Sequence, residues 1–178
     1  GTYSVLFRAK GFDIDGLDIC DLSKAFELSK KYNMSVNYYS SPIERPKISK
    51  KYDYIFCSEV LEHIDDINRG LLSIKNMAHS RTKIIISLPN VLSIYGILRL
   101  IRDMIRSGFV FSKIDSHQKY PPWYVKKLFN RHDYSVKIIG SVYYFPFNKF
   151  FNINLILSTI GLFKYTGYST FYLVKRKY

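Results

Sequence analysis

Two rhythms of hydrophobic residues alternate along the chain. One is short apolar runs bounded by turn formers; the other is apolar positions every three or four residues. The first reads as strand and the second as helix. Residues 3–10 read as the tail of a helix capped by Gly11. Phe12–Ile19 predicts a strand, and Asp21–Lys31 a helix with Leu22, Ala25, Phe26 and Leu28 near one face. Val36–Tyr39 predicts a short strand, after which Pro42 and Pro46 interrupt the chain. Tyr52–Cys57 predicts another strand. A helix from about Asp65 follows, with a stripe of Ile64, Ile67, Leu71, Ile74 and Met77. Asp65 and Asp66 sit in its first turn, where the helix dipole favours negative charge. Lys83–Leu88 predicts an apolar strand that stops at Pro89-Asn90.

The later half continues the alternation. Val91–Arg106 predicts a helix with Ile94, Leu98, Ile101 and Ile105 at helical spacing and Arg99, Arg102 and Arg106 on another arc. Pro121-Pro122 opens a helix through about Asn130. Val136–Tyr144 and Thr170–Val174 predict two late strands. Between them Phe150–Phe163 is apolar and aromatic, yet too short to span a bilayer. No internal repeat or low-complexity linker divides the 178 residues. The expectation is one α/β domain over 1–178 with a largely parallel sheet.

Charge changes this picture more than composition does. The net charge of +13 is unevenly placed. Residues 1–66 hold 9 Lys+Arg against 11 Asp+Glu, whereas 67–178 hold 18 against 3. A basic half attracts phosphates, anionic lipid or nucleic acid. No nucleic-acid-reading motif accompanies it, so nucleic acid is set aside as a partner. Cys20 and Cys57 are too few for a disulfide framework and fit a reducing cytosol. A cytoplasmic location is expected, with peripheral membrane contact through the basic arc. No His/Cys pair has metal-ligand spacing, so no metal site is expected.

Ligands of open α/β sheets bind outside the carboxyl ends of the strands. Three strand ends therefore matter: Asp18-Ile19, Cys57-Ser58-Glu59 and Leu88-Pro89-Asn90. A carboxylate at Asp18 can accept hydrogen bonds from both hydroxyls of a ribose, a demand common to adenosyl and nicotinamide cofactors.

The order and spacing of Gly11-Phe12-Asp13-Ile14-Asp15-Gly16-Leu17-Asp18-Ile19, of Tyr52 through Ser58-Glu59-Val60-Leu61-Glu62-His63, and of Ile84 through Asn90 resemble class I S-adenosylmethionine-dependent methyltransferases. The nearest likeness is to small bacterial and archaeal forms with a Glu-Val-Leu-Glu-His motif. Asp115-Ser116-His117 and Trp123–Tyr134 are similar to that family's segment before its late strands. The likeness covers nearly the whole chain and implies a three-layer α/β/α Rossmann-like sandwich, mostly parallel, with a late antiparallel strand. It implies a cofactor-binding half over 1–90 and substrate-side helices and late strands over 91–178. In that pattern a first strand and a glycine-rich loop precede Gly1, and Gly1 stands where the loop's last glycine would be. The expected chain is therefore truncated within the cofactor motif. Many relatives carry an acid for the adenine amino group where this chain has Ser41-Pro42, leaving Ile43 to pack on the ring.

By resemblance, the cofactor is S-adenosylmethionine, with S-adenosylhomocysteine as product. Gly1, Asp18, Ile19, Ile43, Cys57, Ser58, Glu59 and His63 are its candidate contacts. His63 and His117 are the candidate bases for a hydroxyl acceptor. Asn90, Arg99, Arg102 and Arg106 are the substrate-side candidates, and the acceptor is expected to be small, or lipid- or glycan-linked. Rival readings stand beside these. Cys57 suits a small buried strand residue better than a nucleophile, and the arginine arc is commonly a solvated face. The cluster Tyr143, Tyr144, Phe145, Phe147, Phe150 and Phe151 reads as core and lid packing or as an apolar wall. For the whole chain, the rivals are a degenerate, non-catalytic binding module using the basic face and a nicotinamide-dependent oxidoreductase; the 52–63 block disfavours the latter.

Overall fold

A computed structural model describes residues 1–106, 121–142, 156 and 165–177. His117 and the aromatic cluster from Tyr143 to Phe151 lie outside the described residues. The chain forms two compact units. One comprises Gly1–Lys51 with Asp66–Met77, the other Tyr52–Asp65 with Ala78–Tyr178.

The first unit contains α1 (Thr2–Ala9), β1 (Asp15–Asp18), α2 (Ser23–Lys31), β2 (Asn37–Ser40) and α3 (Ile67–Met77). β1 and β2 pair in parallel, from Asp15 opposite Asn37 to Asp18 opposite Ser40. The strand expected over Phe12–Ile19 is thus shorter. Its ladder begins where β2 begins, and Asn37 Nδ2 donates to Asp15 Oδ1 at 2.9 Å across that first rung. Gly16 is required by packing: a Cβ there would lie 2.6 Å from the Tyr38 ring. Tyr38 in turn shares a hydrogen bond with Ser29 Oγ at 2.8 Å and meets Phe26 edge-on at 5.0 Å. α3 buries Ile67, Leu71, Ile74 and Met77, the predicted stripe, but starts at Ile67 rather than Asp65. Asp66 Oδ1 accepts the backbone N–H groups of Asn68 and Arg69, which makes it the helix cap.

The second unit contains β3 (Tyr52–Ser58), β4 (Ala78–Pro89), α4 (Ile94–Arg106), α5 (Pro122–Arg131), β5 (Tyr134–Val142) and β6 (Ser169–Arg176). Its sheet runs β3-β4-β6-β5. β3 is parallel to β4, while β6 is antiparallel to both β4 and β5. Three strands therefore share a direction and the last one inserts against them, as expected. β4 buries Thr82, Ile84 and Ile86 in alternation with exposed Lys83 and half-buried Ile85, then Ser87, Leu88 and Pro89 in succession, so only its carboxyl end reads as covered on both faces. It is longer than Lys83–Leu88 at its start, where Thr82 Oγ1 donates to the Tyr52 carbonyl at 2.6 Å and extends the edge beyond a register shift. α5 seats Val125, Leu128 and Phe129 in the core, with Phe129 edge-on to Tyr134 at 6.3 Å. Full burial of side chains of this size stabilises by roughly 1.5–3 kcal/mol each. α4 begins at Ile94 rather than Val91, because Ser93 Oγ accepts the Gly96 N–H at 2.9 Å and caps the helix there.

Candidate functional site

Asp18 ends β1 with its side chain in solvent. Its Oδ1 accepts the Cys20 N–H at 3.0 Å, an Asx-type turn that fixes the carboxylate's direction. Its carbonyl accepts the Ser41 N–H at 3.0 Å, tying the ends of β1 and β2 together. Ile19 follows at 70% exposure, an unusual setting for a large apolar side chain next to a strand. Ile43 is half-buried in the loop after β2. Ser41, at the position where many relatives carry an acid, is buried, and its Oγ accepts the Lys47 N–H at 3.0 Å. Gly1 begins α1 and approaches α2 so closely that a Cβ would lie 2.7 Å from Ala25. These four positions, Gly1, Asp18, Ile19 and Ile43, belong to the first unit.

The second unit gathers the others around a pair of carboxyl groups. Glu59 follows β3 with φ of +52°, a left-handed conformation that is uncommon for a residue with a side chain. That turn aims its carboxylate back across the strand ends. Its Oε1 accepts Ser87 Oγ from β4 at 2.9 Å and Ser169 Oγ from β6 at 3.0 Å. Ser58 Oγ shares a further hydrogen bond with Ser87 Oγ at 2.9 Å. One carboxylate thus joins the carboxyl end of β4, the start of β6 and, through Ser87, the end of β3.

Glu62 is 3% exposed, and its Oε2 meets no hydrogen-bond partner among the described residues. Burial, with Glu59 nearby adding to it, pushes its carboxyl up to about 8. At neutral pH it therefore holds its proton. Its 3.8 Å approach to His63 Nε2 is then not an ion pair. His63 is half exposed, and its backbone N–H donates to the Val60 carbonyl at 3.0 Å. Cys57 is buried, and burial followed by the Glu62 charge raises its thiol to about 12. A thiol so placed is not a nucleophile at neutral pH.

The substrate-side candidates fare differently from one another. Asn90 spends both ends of its amide on the chain itself. Nδ2 donates to the Tyr165 carbonyl at 3.1 Å, and Oδ1 accepts the Leu92 N–H at 3.1 Å. Asn90 is the knot between β4 and the segment entering β6. Arg99 is not on a solvated arc. Its Nη1 donates to Tyr168 Oη at 3.0 Å, and Tyr168 packs edge-on to Tyr95 at 4.8 Å. Burial raises the Tyr168 hydroxyl, and the Arg99 charge partly offsets this. Arg102 is the exposed partner of Asp103 at 2.7 Å, and Arg106 is exposed at the helix end. The expected three-arginine arc is thus divided by its partners: Arg99 turns to Tyr168, while Arg102 pairs with the adjacent Asp103.

Sequence reasoning missed Ser87, Ser169 and Glu62 as members of one hub. The signal was there for Ser87, a lone hydroxyl inside the run Ile84-Ile85-Ile86-Ser87-Leu88. A polar group at such a place needs a buried partner. Among the described residues no group of His, Cys, Asp and Glu could hold a metal ion.

Comparison with known proteins gives this geometry a lineage. A ubiquinone biosynthesis O-methyltransferase of Rickettsia akari is 23% identical over 150 residues, covering 82% of this chain and 59% of that protein. Its counterpart in Rickettsia canadensis is 26% identical over 122 residues, covering 67% and 52%. The chain therefore spans between half and three-fifths of the length of these curated relatives. Among solved structures, the PH0226 protein of Pyrococcus horikoshii superposes with a TM-score of 0.66 at 14% identity, over 99% of this chain and 79% of that one. The magnesium protoporphyrin IX methyltransferase of Synechocystis, solved with bound S-adenosylhomocysteine, gives 0.68 at 15% identity, over 99% and 70%. These likenesses show the Rossmann-like methyltransferase fold. The sequence profile described as "Methyltransferase domain" matches residues 1–136, and the chain belongs to that family.

Proposed function

We propose that this chain is the cofactor-binding portion of an S-adenosylmethionine-dependent methyltransferase that methylates a hydroxyl oxygen of a small, or lipid- or glycan-linked, molecule. The observation that carries the reading is Asp18: an exposed carboxylate at a strand's carboxyl end, with one oxygen oriented by the Cys20 N–H. Exposed Ile19 and half-buried Ile43 offer apolar surface of the kind an adenine ring takes. The donor set thus fits the adenosine part of the cofactor. When bound, that group supplies a methyl on a sulfonium, a donor already activated for displacement.

The chain's own residues would then bind, orient and take up a proton. Asp18 accepts the ribose hydroxyls. His63, half exposed beside Glu62, serves as the base for an acceptor hydroxyl. Oxygen as the target atom rests on the Rickettsia relatives, which are named as O-methyltransferases. His117 is proposed as a second substrate contact from sequence alone. The test is calorimetric titration of S-adenosylhomocysteine into the chain and into Asp18→Ala. Micromolar binding that the variant loses supports the reading. A folded chain with no binding refutes it.

A further inference from the structure

α4 is built inside out. At 100° per residue, Ile94, Leu98, Ile101 and Ile105 fall within an arc of about 60°, with Ile97 at its edge. A globular helix turns such a stripe toward a core. Here the stripe faces solvent, from 45% exposure at Ile97 to 64% at Ile105. The opposite side carries buried Gly96 and Asp103, whose side chain is 13% exposed. Arg99 also turns inward to Tyr168. The helix is therefore anchored through Tyr95, Gly96, Arg99 and Asp103, with Leu100 and Met104 half-buried, while its isoleucines and Leu98 are displayed. Leu92, just before it, is 50% exposed as well.

Cations border this stripe. Arg102 and Arg106 lie along one flank, both exposed. They belong to the half of the chain with 18 Lys+Arg against 3 Asp+Glu. We propose that α4 lies in the plane of an anionic lipid surface, its isoleucine and leucine side chains in the acyl boundary and its arginines at the phosphates. No helix among the described residues is long and apolar enough to cross a membrane, so this helix would rest on the membrane rather than span it. A second copy of the chain is the weaker occupant. One face of a 13-residue helix falls well short of the roughly 800 Å² per partner that a standard interface buries, and pairing two such faces would crowd like charges. The inference stands apart from methyl transfer, so either can fail alone.

The test is co-sedimentation of the chain with vesicles of phosphatidylglycerol and phosphatidylcholine in equal parts, and with phosphatidylcholine alone. The anionic vesicles should bind at least about tenfold more strongly, and less so at high salt. Leu98→Glu with Ile101→Glu changes only exposed positions and should abolish binding while the circular dichroism stays that of the parent chain. Arg102→Gln with Arg106→Gln should erase the preference for anionic lipid. Three results overturn the proposal: no binding to either vesicle, equal binding by the Leu98→Glu/Ile101→Glu variant, or a dimer in sedimentation equilibrium that this variant breaks without any vesicle binding.

Discussion

Asp18 and Glu59 stand at equivalent kinds of place, each at the carboxyl end of a parallel strand, and they are wired in opposite ways. Asp18 is exposed, and its side chain accepts the Cys20 N–H two residues on. Glu59 reaches over two further strands and accepts Ser87 and Ser169 hydroxyls, with buried Glu62 beside it. A strand end in an open α/β sheet can be left available for a ligand or spent on holding the sheet. This chain does one of these in each unit. Glu59 is thus spent on holding strand ends together, while the Asp18 carboxylate is left exposed, as its proposed role requires.

This contrast can be broken by substitution, and the largest effect should come from Glu59. Glu59→Ala removes the acceptor of the buried Ser87 and Ser169 hydroxyls, of which Ser87 keeps Ser58. It should destabilise the second unit by about 2–4 kcal/mol, read from urea unfolding. If Glu59→Ala unfolds at the same urea concentration as the parent, the hub holds nothing. Asp18→Ala should do the reverse. Stability should stay within about 0.5 kcal/mol, while S-adenosylhomocysteine affinity falls about thirtyfold or more, roughly 2 kcal/mol. An Asp18→Ala chain that loses stability instead would place both acids in the same structural role.

A third measurement sharpens the comparison through pH. The Glu62 carboxyl lies near 8 in the folded chain, above its ordinary value of 4.5, so the native state holds a proton that the unfolded chain has released between those limits. Its stabilising contribution is full below about 4.5 and is lost as pH rises through about 8. The parent chain should therefore unfold at lower urea at pH 9 than at pH 6, by about 2–3 kcal/mol. Glu62→Gln, neutral throughout, should flatten that slope; an unchanged slope would assign it to other groups. The smallest effect is expected at Tyr168→Phe, which removes the acceptor of Arg99 Nη1 and should cost about 1 kcal/mol in the same assay.

The elements were largely legible because their periodicities are clean. The stripe of Ile67, Leu71, Ile74 and Met77 is buried in α3, and the run Ile84–Leu88 is the interior of β4. The boundaries were less legible, since capping by Asp66 and Ser93 depends on side-chain hydrogen bonds that periodicity does not register. The fate of α4 was hidden for a deeper reason. Its stripe has the spacing of a core helix, and nothing local says which way such a helix will face; Gly96, Arg99 and Asp103 decide that by how they pack. The inward turn of Arg99 was hidden because its partner Tyr168 is 69 residues away, which helical spacing does not register. The Glu59 hub was invisible because its partners Ser87 and Ser169 are 28 and 110 residues away.

The position of β6 bears on how the molecule comes into being. Ile84 pairs with Val174 and Pro89 with Ser169, so the strand that completes the middle of the second sheet is synthesised after everything it must separate. Until residue 176 has left the ribosome, β4 and β5 have no ladder between them, and one edge of β4 lacks its partner. Closure across so long a loop is slow, and the waiting strand edges are open to other chains. Removing β6 should therefore leave nascent β4 as a template for aggregation, so that β6 acts as the latch on the second sheet.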